Sequence, residues 1–212
     1  MIRLTSFLVR ADAFTHKEFV RYWHDEHAPI ARELPGLRRY SVNRALTPTA
    51  GFDGVAELSF ESVSAFERVL GADAETDAMA DVNNFIARTE RHLLAEPTDT
   101  ETPSSAEHTV SELLVLARGP GVEPDRFTER LEEATAASAR DPSVESCFVA
   151  TPVEDTTRYD AVMKRSFDSE ASYDRHREER ASGDPTGHDG LEAVSETTIS
   201  FAGWETTVVE AR

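Results

Sequence analysis

Residues 1–96 alternate between short apolar runs, which are typical of strands, and segments whose apolar positions recur at helical spacing. Strands are predicted at residues 2–9, 37–45, 54–60 and 87–95. Helices are predicted at residues 16–33 and 62–70. The order of these elements is β-α-β-β-α-β, which is the order of the ferredoxin-like fold.

The same order of elements appears a second time in residues 109–212. Strands are predicted at residues 110–117, 144–151, 159–167 and 196–209, where the last range holds one or two strands. Helices are predicted at residues 125–139 and 169–180. The pattern therefore predicts an α+β protein made of two ferredoxin-like repeats.

Collinear identities between the two halves indicate that the chain arose by duplication. Phe19 aligns with Phe127 at a shift of 108 residues, and after one deletion the shift becomes 107. The further matches are Pro35 with Pro142, Val42 with Val149, Asp53 with Asp160, Val55 with Val162, Ser59-Phe60 with Ser166-Phe167, and Ser62 with Ser169.

Residues 97–108 separate the halves and have the composition of a linker. They are rich in Pro, Ser, Thr and acidic residues and contain no apolar side chain larger than Ala. We therefore predict a first repeat at 1–96, a linker at 97–108 and a second repeat at 109–212. In each repeat, the helices leave one face of the sheet exposed, and that face must pack against another layer. We expect the two sheets to pack face to face as an α+β barrel around a central cavity, either within one chain as a pseudo-dimer or between chains as a homodimer.

The excess of acidic over basic residues bears on which binding partners are expected. The chain has 40 acidic and 22 basic residues, a formal net charge of −18, and only two lysines, Lys17 and Lys164. This balance argues against nucleic-acid binding, which needs clustered positive charge. An acidic surface of this kind is typical of a halophilic, salt-adapted proteome; the alternative is an acidic protein from a GC-rich genome.

Cysteine content and hydropathy add two further expectations. The single cysteine, Cys147, excludes an internal disulfide and a cysteine-based zinc site. The sequence has no long apolar run and no basic, apolar N-terminus, so we expect a soluble cytoplasmic protein without a membrane span or signal peptide.

Several motifs of the first half give the chain a family resemblance. They are FVRYW at 19–23, HAP at 27–29, PGLRRY at 35–40, FDGVAEL at 52–58 with Phe60, and NFI at 84–86. Together they resemble the EthD family of the dimeric α+β barrel superfamily, over about residues 1–96. Relatives of this barrel include cofactor-free monooxygenases, muconolactone isomerases, polyketide cyclases and haem-binding enzymes, so the resemblance implies a fold more firmly than a reaction.

The second half keeps the element order but departs from the motif. Leu131, Glu132 and Thr135 stand at the places of Trp23, His24 and His27. The resemblance therefore implies a site in the first repeat and a degenerate second repeat that completes the barrel.

His27 is the candidate catalytic residue. Thr15 and Glu18 have the spacing of a capping box, so the helix begins near His16. Phe19, Trp23, His27 and Ile30 then share one helical face, and Pro29 favours a break or kink just before it. The resemblance implies that His27 faces the cavity, where a neutral imidazole serves as general acid or base. The alternative is a structural histidine bonded to a nearby carbonyl.

Trp23, Tyr40 and His24 are the candidate substrate-binding residues. Each also has a structural alternative, which is packing for Trp23 and Tyr40 and a solvent-facing position for His24. His24 and His27 lie three residues apart, but no third metal ligand has a familiar spacing. A haem would need an axial ligand, for which His27 and His188 have no supporting motif. We therefore expect neither a metal nor an organic cofactor.

Asp53 and Asp160 recur before a strand in both halves, although the second half has lost the histidine motif. This recurrence favours a structural role in turn capping.

Two functions follow from the sequence. The first is an EthD-like small-molecule enzyme, with oxidoreductase, monooxygenase or isomerase chemistry on an apolar oxygenated compound such as a phenol, lactone or β-diketone. The alternative is a non-catalytic barrel that binds a metabolite or assists an oxygenase.

Overall fold

The computed structural model describes residues 1–47, 51–70, 75–95, 109–154, 158–182, 191 and 194–210. The chain divides into two compact units: Met1–Glu96 with Gly203–Arg212 form unit 1, and Pro97–Ala202 form unit 2. The sequence placed all of 109–212 in the second repeat, whereas the end of the last strand belongs with unit 1. The predicted linker at 97–108 lies outside the described residues.

Unit 1 has the strand order β4-β1-β3-β2, with antiparallel neighbours. Its elements are β1 (Ile2–Arg10), α1 (His16–Tyr22), a π-helical turn (Trp23–His27), α2 (Ala28–Ala31), β2 (Leu37–Ala45), β3 (Gly54–Phe60), α3 (Val63–Leu70), α4 (Asp77–Phe85) and β4 (Ile86–Ala95). Residues 203–210 of the last strand pair with the free edge of β2.

Unit 2 repeats this order as β8-β5-β7-β6. Its elements are β5 (Thr109–Arg118), α5 (Pro124–Ser138), β6 (Ser146–Pro152), β7 (Ala161–Phe167), α6 (Glu170–Ala181) and the first part of β8 (Ser195–Glu210). The predicted fold class, α+β with two ferredoxin-like repeats, is therefore confirmed.

The helix predicted at 16–33 is divided into three pieces in the structure. It begins with the predicted capping box, in which the Glu18 carboxylate accepts the Thr15 backbone N–H at 2.9 Å. The π-helical turn ends where the Ala28 N–H donates to the Trp23 carbonyl. Pro29 follows directly, and a proline ring crowds the carbonyl four residues earlier. The irregular backbone thus lies at the predicted place, and single π turns are frequent at functional sites.

The sequence did not predict α4. The Thr76 hydroxyl caps this helix by accepting the Met79 N–H at 3.3 Å. Ala78 and Phe85 are its buried residues, so its apolar face is short. No loop separates α4 from β4, because β4 begins at the residue after α4 ends.

One hydrogen-bond arrangement occurs in both units and ties the end of the first strand to the following loop. Asp53 accepts the backbone N–H of Arg10 at 3.0 Å, and Asp160 accepts that of Arg118 at 2.7 Å. Each arginine guanidinium also donates to a carbonyl four residues further on. This repetition supports the structural role predicted for the two aspartates.

No helix in the described part of the chain is both long enough and apolar enough to cross a membrane.

Candidate active-site cavity in the first unit

Unit 1 encloses a small cavity of about 60 Å³ between its helices and the sheet face that they cover. Most of the lining side chains are apolar. Those from the strands are Leu4, Ser6, Leu8, Tyr40, Ala56, Leu58, Ile86, Thr89 and Arg91. Those from the helices and the adjoining turns are Trp23, His27, Ala31, Leu34, Leu70, Ala78, Met79, Val82 and Phe85.

The structure brings together three of the four predicted site residues, since His27, Trp23 and Tyr40 all line this cavity. It does not bring His24 there. The His24 side chain is 64% exposed and its Nδ1 is bonded to the Asp25 carboxylate at 2.9 Å. His24 thus takes the solvent-facing alternative that the sequence allowed.

The cavity that His27 reaches differs from the one that the sequence led us to expect. We expected a hollow between the sheets of two repeats, whereas the described residues that line this cavity all belong to unit 1. The physical reason is that a helix packed on a sheet turns its apolar face toward the near side of that sheet. An inward-facing histidine of the first helical segment therefore meets the helix-covered face of its own sheet.

Trp23 and Tyr40 form a buried pair in the cavity wall. The Trp23 indole N–H donates to the Tyr40 hydroxyl oxygen at 2.9 Å. Burial raises the pKa of Tyr40 far above its usual range, with the Trp23 hydrogen bond opposing the shift, so the phenol stays protonated. Its O–H has no acceptor among the described residues, which leaves that proton available to a molecule in the cavity.

Gly54 makes room for the Trp23 ring. A Cβ at residue 54 would clash with this indole. In unit 2, Ala161 aligns with Gly54 and Leu131 aligns with Trp23, and both belong to one buried hydrophobic cluster. Glycine at 54 is thus needed because of the larger ring above it.

His27 is held by an aspartate on α4. Its Nδ1 lies 2.8 Å from Asp81 Oδ2. The other carboxylate oxygen, Oδ1, accepts the Tyr22 hydroxyl at 2.7 Å and the Asn84 amide at 3.0 Å. The His27 ring also packs on Phe85, with 4.9 Å between ring centroids. Asp81 therefore orients the imidazole, as a carboxylate does for a catalytic or metal-binding histidine.

The two groups of this dyad have complementary protonation states at neutral pH. Burial opposes ionisation of Asp81, but the hydrogen bonds from Tyr22, His27 and Asn84 outweigh it and lower the pKa of this carboxyl. Burial lowers the pKa of His27, and the bond to Asp81 only partly offsets that effect. His27 is thus neutral with its proton on Nδ1, and Nε2, which has no hydrogen bond among the described residues, is a free base.

Sequence reasoning missed Asp81, Arg91 and Ser6. Asp81 is 54 residues from His27 in the chain and lies on the helix that was not predicted. The available signal was Thr76, a helix-capping residue that begins α4. Once α4 is assigned, Asp81, Asn84 and Phe85 fall within one helical turn.

The described residues contain no cluster of three or more histidine, cysteine or carboxylate side chains that could hold a metal ion. A haem does not fit this cavity either, because pockets for molecules of drug size hold roughly 300–1,000 Å³ and the cavity holds about 60 Å³. His188, the other residue considered as an axial ligand, lies outside the described residues.

Comparison with solved structures identifies the class of fold. An anthrone oxidase-like protein matches with a TM-score of 0.67 at 11% identity, over 100% of this chain and 94% of the other. A mutant chlorite dismutase from Candidatus Nitrospira defluvii matches with a TM-score of 0.59 at 10% identity, over 98% and 92%. A protein from Lactobacillus acidophilus NCFM, provisionally assigned as a monooxygenase, matches with a TM-score of 0.56 at 15% identity, over 99% and 95%. At these identities the likeness shows the fold alone.

The sequence comparison finds one matching family model, in the first unit. Residues 11–89 match the family model of the EthD domain, so the resemblance seen in the sequence is confirmed for this part of the chain. The matched range includes Trp23, His27, Tyr40 and Asp81 but ends two residues before Arg91. No curated protein sequence matches the chain.

Proposed function

We propose that the protein is a small-molecule enzyme whose reaction starts with proton removal by His27. The substrate class is a small apolar oxygenated compound with an acidic C–H or O–H group, such as a β-diketone or a phenol. Proton removal of this kind is the common first step of cofactor-independent oxygenation and of isomerisation. The EthD match and the fold of the oxidase-like neighbours are compatible with either outcome.

The observation that carries the proposal is the His27–Asp81 dyad at an apolar cavity. A histidine that acts as a general base needs one ring nitrogen that is free to take the substrate proton. In His27, Nδ1 is bonded to Asp81 at 2.8 Å, while Nε2 has no partner among the described residues. A neutral, oriented imidazole of this kind is suited to act as a general base near neutral pH.

Each of the four polar side chains has a distinct task in this proposal. His27 Nε2 takes the proton, and the Asp81 carboxylate stabilises the imidazolium that forms. The substrate C–H electron pair moves into the carbonyl to give an enolate, and the Tyr40 O–H donates to the enolate oxygen. Trp23 holds Tyr40 in position through the 2.9 Å hydrogen bond. His27 then returns the proton, at the same carbon or at another one, which completes exchange or isomerisation.

The cavity volume limits the part of the substrate that reacts. A volume of about 60 Å³ admits a group of a few heavy atoms, not an extended ring system. Larger parts of a substrate would have to lie toward Met79, Val82 and Arg91, which are only partly buried or exposed.

Deuterium exchange at carbon tests the proposal. The probe is methyl 2-methylacetoacetate, a small neutral β-ketoester, and NMR follows loss of its C2 proton in D2O with the full chain. We expect wild type to accelerate exchange above the buffer rate. His27→Gln and Asp81→Asn should remove most of that acceleration, since general-base catalysis contributes on the order of 10²–10⁴-fold. The rates are measured at about 0.2 M and about 2 M KCl, because the net charge led us to expect a surface adapted to high salt.

His24→Gln is the matched control, because it changes an exposed histidine of the same π-helical turn that does not line the cavity. It should leave the rate unchanged. Acceleration that survives in folded His27→Gln would contradict the proposal. Binding of the probe without any acceleration would favour the alternative, a non-catalytic metabolite-binding protein.

A further inference from the structure

Arg91 is the one lysine or arginine among the described residues that line the cavity. It lies on β4, in register with Ser6 of β1. Arg91 is exposed to solvent, so it lies at the rim of the cavity and not at its base. A charged side chain at this place has to be explained, because the rest of the lining is mostly apolar.

The Arg91 guanidinium has no carboxylate partner in the described part of the chain. Its one hydrogen-bond contact is Nη2 to the Met79 sulfur at 3.8 Å, and a thioether is a weak acceptor. Partial burial lowers the pKa of Arg91, and no nearby acid opposes that shift. In a protein with 40 acidic and 22 basic residues, an arginine without an acidic neighbour is unexpected.

Arg88, three residues earlier on the same strand, shows the contrast. Its guanidinium lies 3.9 Å from the Glu90 carboxylate and 5.0 Å from the centre of the Phe52 ring. Side chains at odd spacing along a strand point to opposite faces. Arg88 accordingly does not line the cavity, and its positive charge is compensated by a neighbouring acid.

Ser6 adds a second polar group that lacks a partner. It is buried, lines the cavity beside Arg91, and its hydroxyl makes no hydrogen bond with the described residues. Buried hydroxyls are normally bonded, to protein or to water. A ligand oxygen placed between Arg91 and the cavity interior would satisfy both groups.

We propose that the substrate is a carboxylate, whose charged end is bound by Arg91 at the rim while its apolar, reacting end reaches His27 and Tyr40. This inference rests on the proposed function, because it takes the cavity to be the substrate site. A guanidinium binds a carboxylate through two parallel N–H···O bonds, which would also fix the direction in which the molecule enters. The local cation is needed because the protein as a whole, at a net charge of −18, repels anions.

The test compares two probes that differ in charge and by one methyl group. They are 2-methylacetoacetate, an anion, and its neutral methyl ester. Their dissociation constants are measured by NMR titration against wild type, Arg91→Gln and Arg88→Gln. Both variants remove one positive charge from β4, so Arg88→Gln controls for net charge, and thermal unfolding checks that each variant is folded.

We expect Arg91→Gln to weaken binding of the anion by about tenfold or more and to leave the ester within about twofold. Arg88→Gln should change neither by more than about twofold, and Arg91→Lys should retain part of the preference for the anion. Higher salt should weaken the anion selectively, because screening acts on this exposed charge.

The possible failures are distinguishable. If both probes bind wild type and Arg91→Gln affects them equally, or if Arg88→Gln matches Arg91→Gln, the carboxylate inference is overturned and the proposed function stands. If neither probe binds wild type, or if both bind without His27-dependent exchange, the proposed function is overturned and the inference about its substrate falls with it.

Discussion

Where Leu4 of β1 faces Leu58 of β3 in unit 1, unit 2 has Glu112 facing Arg165 at the same register of β5 and β7. The two leucines line the cavity of unit 1. In unit 2 the two charged residues form a buried ion pair at 2.8 Å, and Arg165 Nε also donates to the Ser138 hydroxyl of α5 at 2.9 Å. The same register of paired strands therefore holds two apolar side chains in unit 1 and a buried ion pair in unit 2.

Four aligned positions of the candidate site also differ between the two units. In the order of the alignment, Trp23, His27, Tyr40 and Gly54 of unit 1 correspond to Leu131, Thr135, Cys147 and Ala161 of unit 2. The Thr135 hydroxyl donates to the Leu131 carbonyl of its own helix at 2.8 Å, as helical threonines commonly do. The comparison teaches that both repeats keep the hydrogen bonds at their strand ends, while the residues on and beneath the first helix differ between them.

The largest effect that tests this comparison comes from breaking the ion pair of unit 2. Arg165→Leu leaves Glu112 charged and buried without its partner, so we expect the free energy of unfolding to fall by about 3–5 kcal/mol. The double variant Glu112→Leu with Arg165→Leu reproduces the residues of unit 1 and should recover most of that loss. Urea unfolding of the single and double variants measures both values. A single-variant loss below about 1 kcal/mol would mean that the pair does not support the interior of unit 2.

A smaller effect is expected from filling the space under Trp23. Gly54→Ala introduces a Cβ that clashes with the indole, which should cost about 1–3 kcal/mol of unfolding free energy. It should also move Trp23 away from Tyr40 and shift the Trp23 fluorescence. The chain has two tryptophans, so the measurement is made in a Trp204→Phe background, where only Trp23 contributes.

The matched reverse change in unit 2, Ala161→Gly, should cost about 1 kcal/mol and leave the Trp23 fluorescence unchanged. Adding Trp23→Leu to Gly54→Ala recreates the pair found in unit 2 and should recover stability. No recovery in that double variant would show that the glycine is needed for a reason other than the ring.

The smallest predicted effect is a pH dependence that belongs to unit 1. Since the pKa of His27 is lowered in the folded state, the unfolded chain binds more protons once the pH drops below about 6.5, the usual histidine value. His27 therefore contributes stability that is fully present above about pH 6.5 and is lost as the pH falls through its folded pKa. We expect His27→Gln to flatten the unfolding free energy across that window. An unchanged slope would show that His27 is not a neutral, buried base.

Much of the fold could be predicted because its signals are local. The bounds of β2 and β3 agree with the predicted ranges, since alternating and continuous apolar runs bounded by turns define them. The capping box at Thr15 likewise fixed the beginning of α1. The prediction failed at α4, because its apolar face is short and several of its residues, among them Asp81, are polar.

The candidate site could be predicted only in part. Trp23 and His27 lie four residues apart on one helical segment, so their common direction follows from the sequence spacing. Which surface they face does not follow from the spacing, and the described residues around the cavity that they line all belong to unit 1. Asp81 and Arg91 join the site only through the packing of α4 and β4 against the first helical segment.

By itself, the sequence determined most of the strands and helices, the repetition of their order, the net negative charge and the placement of one histidine on the buried side of a helix. Each of these depends on neighbours within a few residues or on collinear repetition. Only the tertiary structure decided which carboxylate orients that histidine, which tyrosine shares its cavity, and which arginine stands at the rim. Two of these contacts, Trp23 with Tyr40 and His27 with Asp81, join residues 17 and 54 positions apart. Such contacts form because buried polar groups must find partners once the chain is folded.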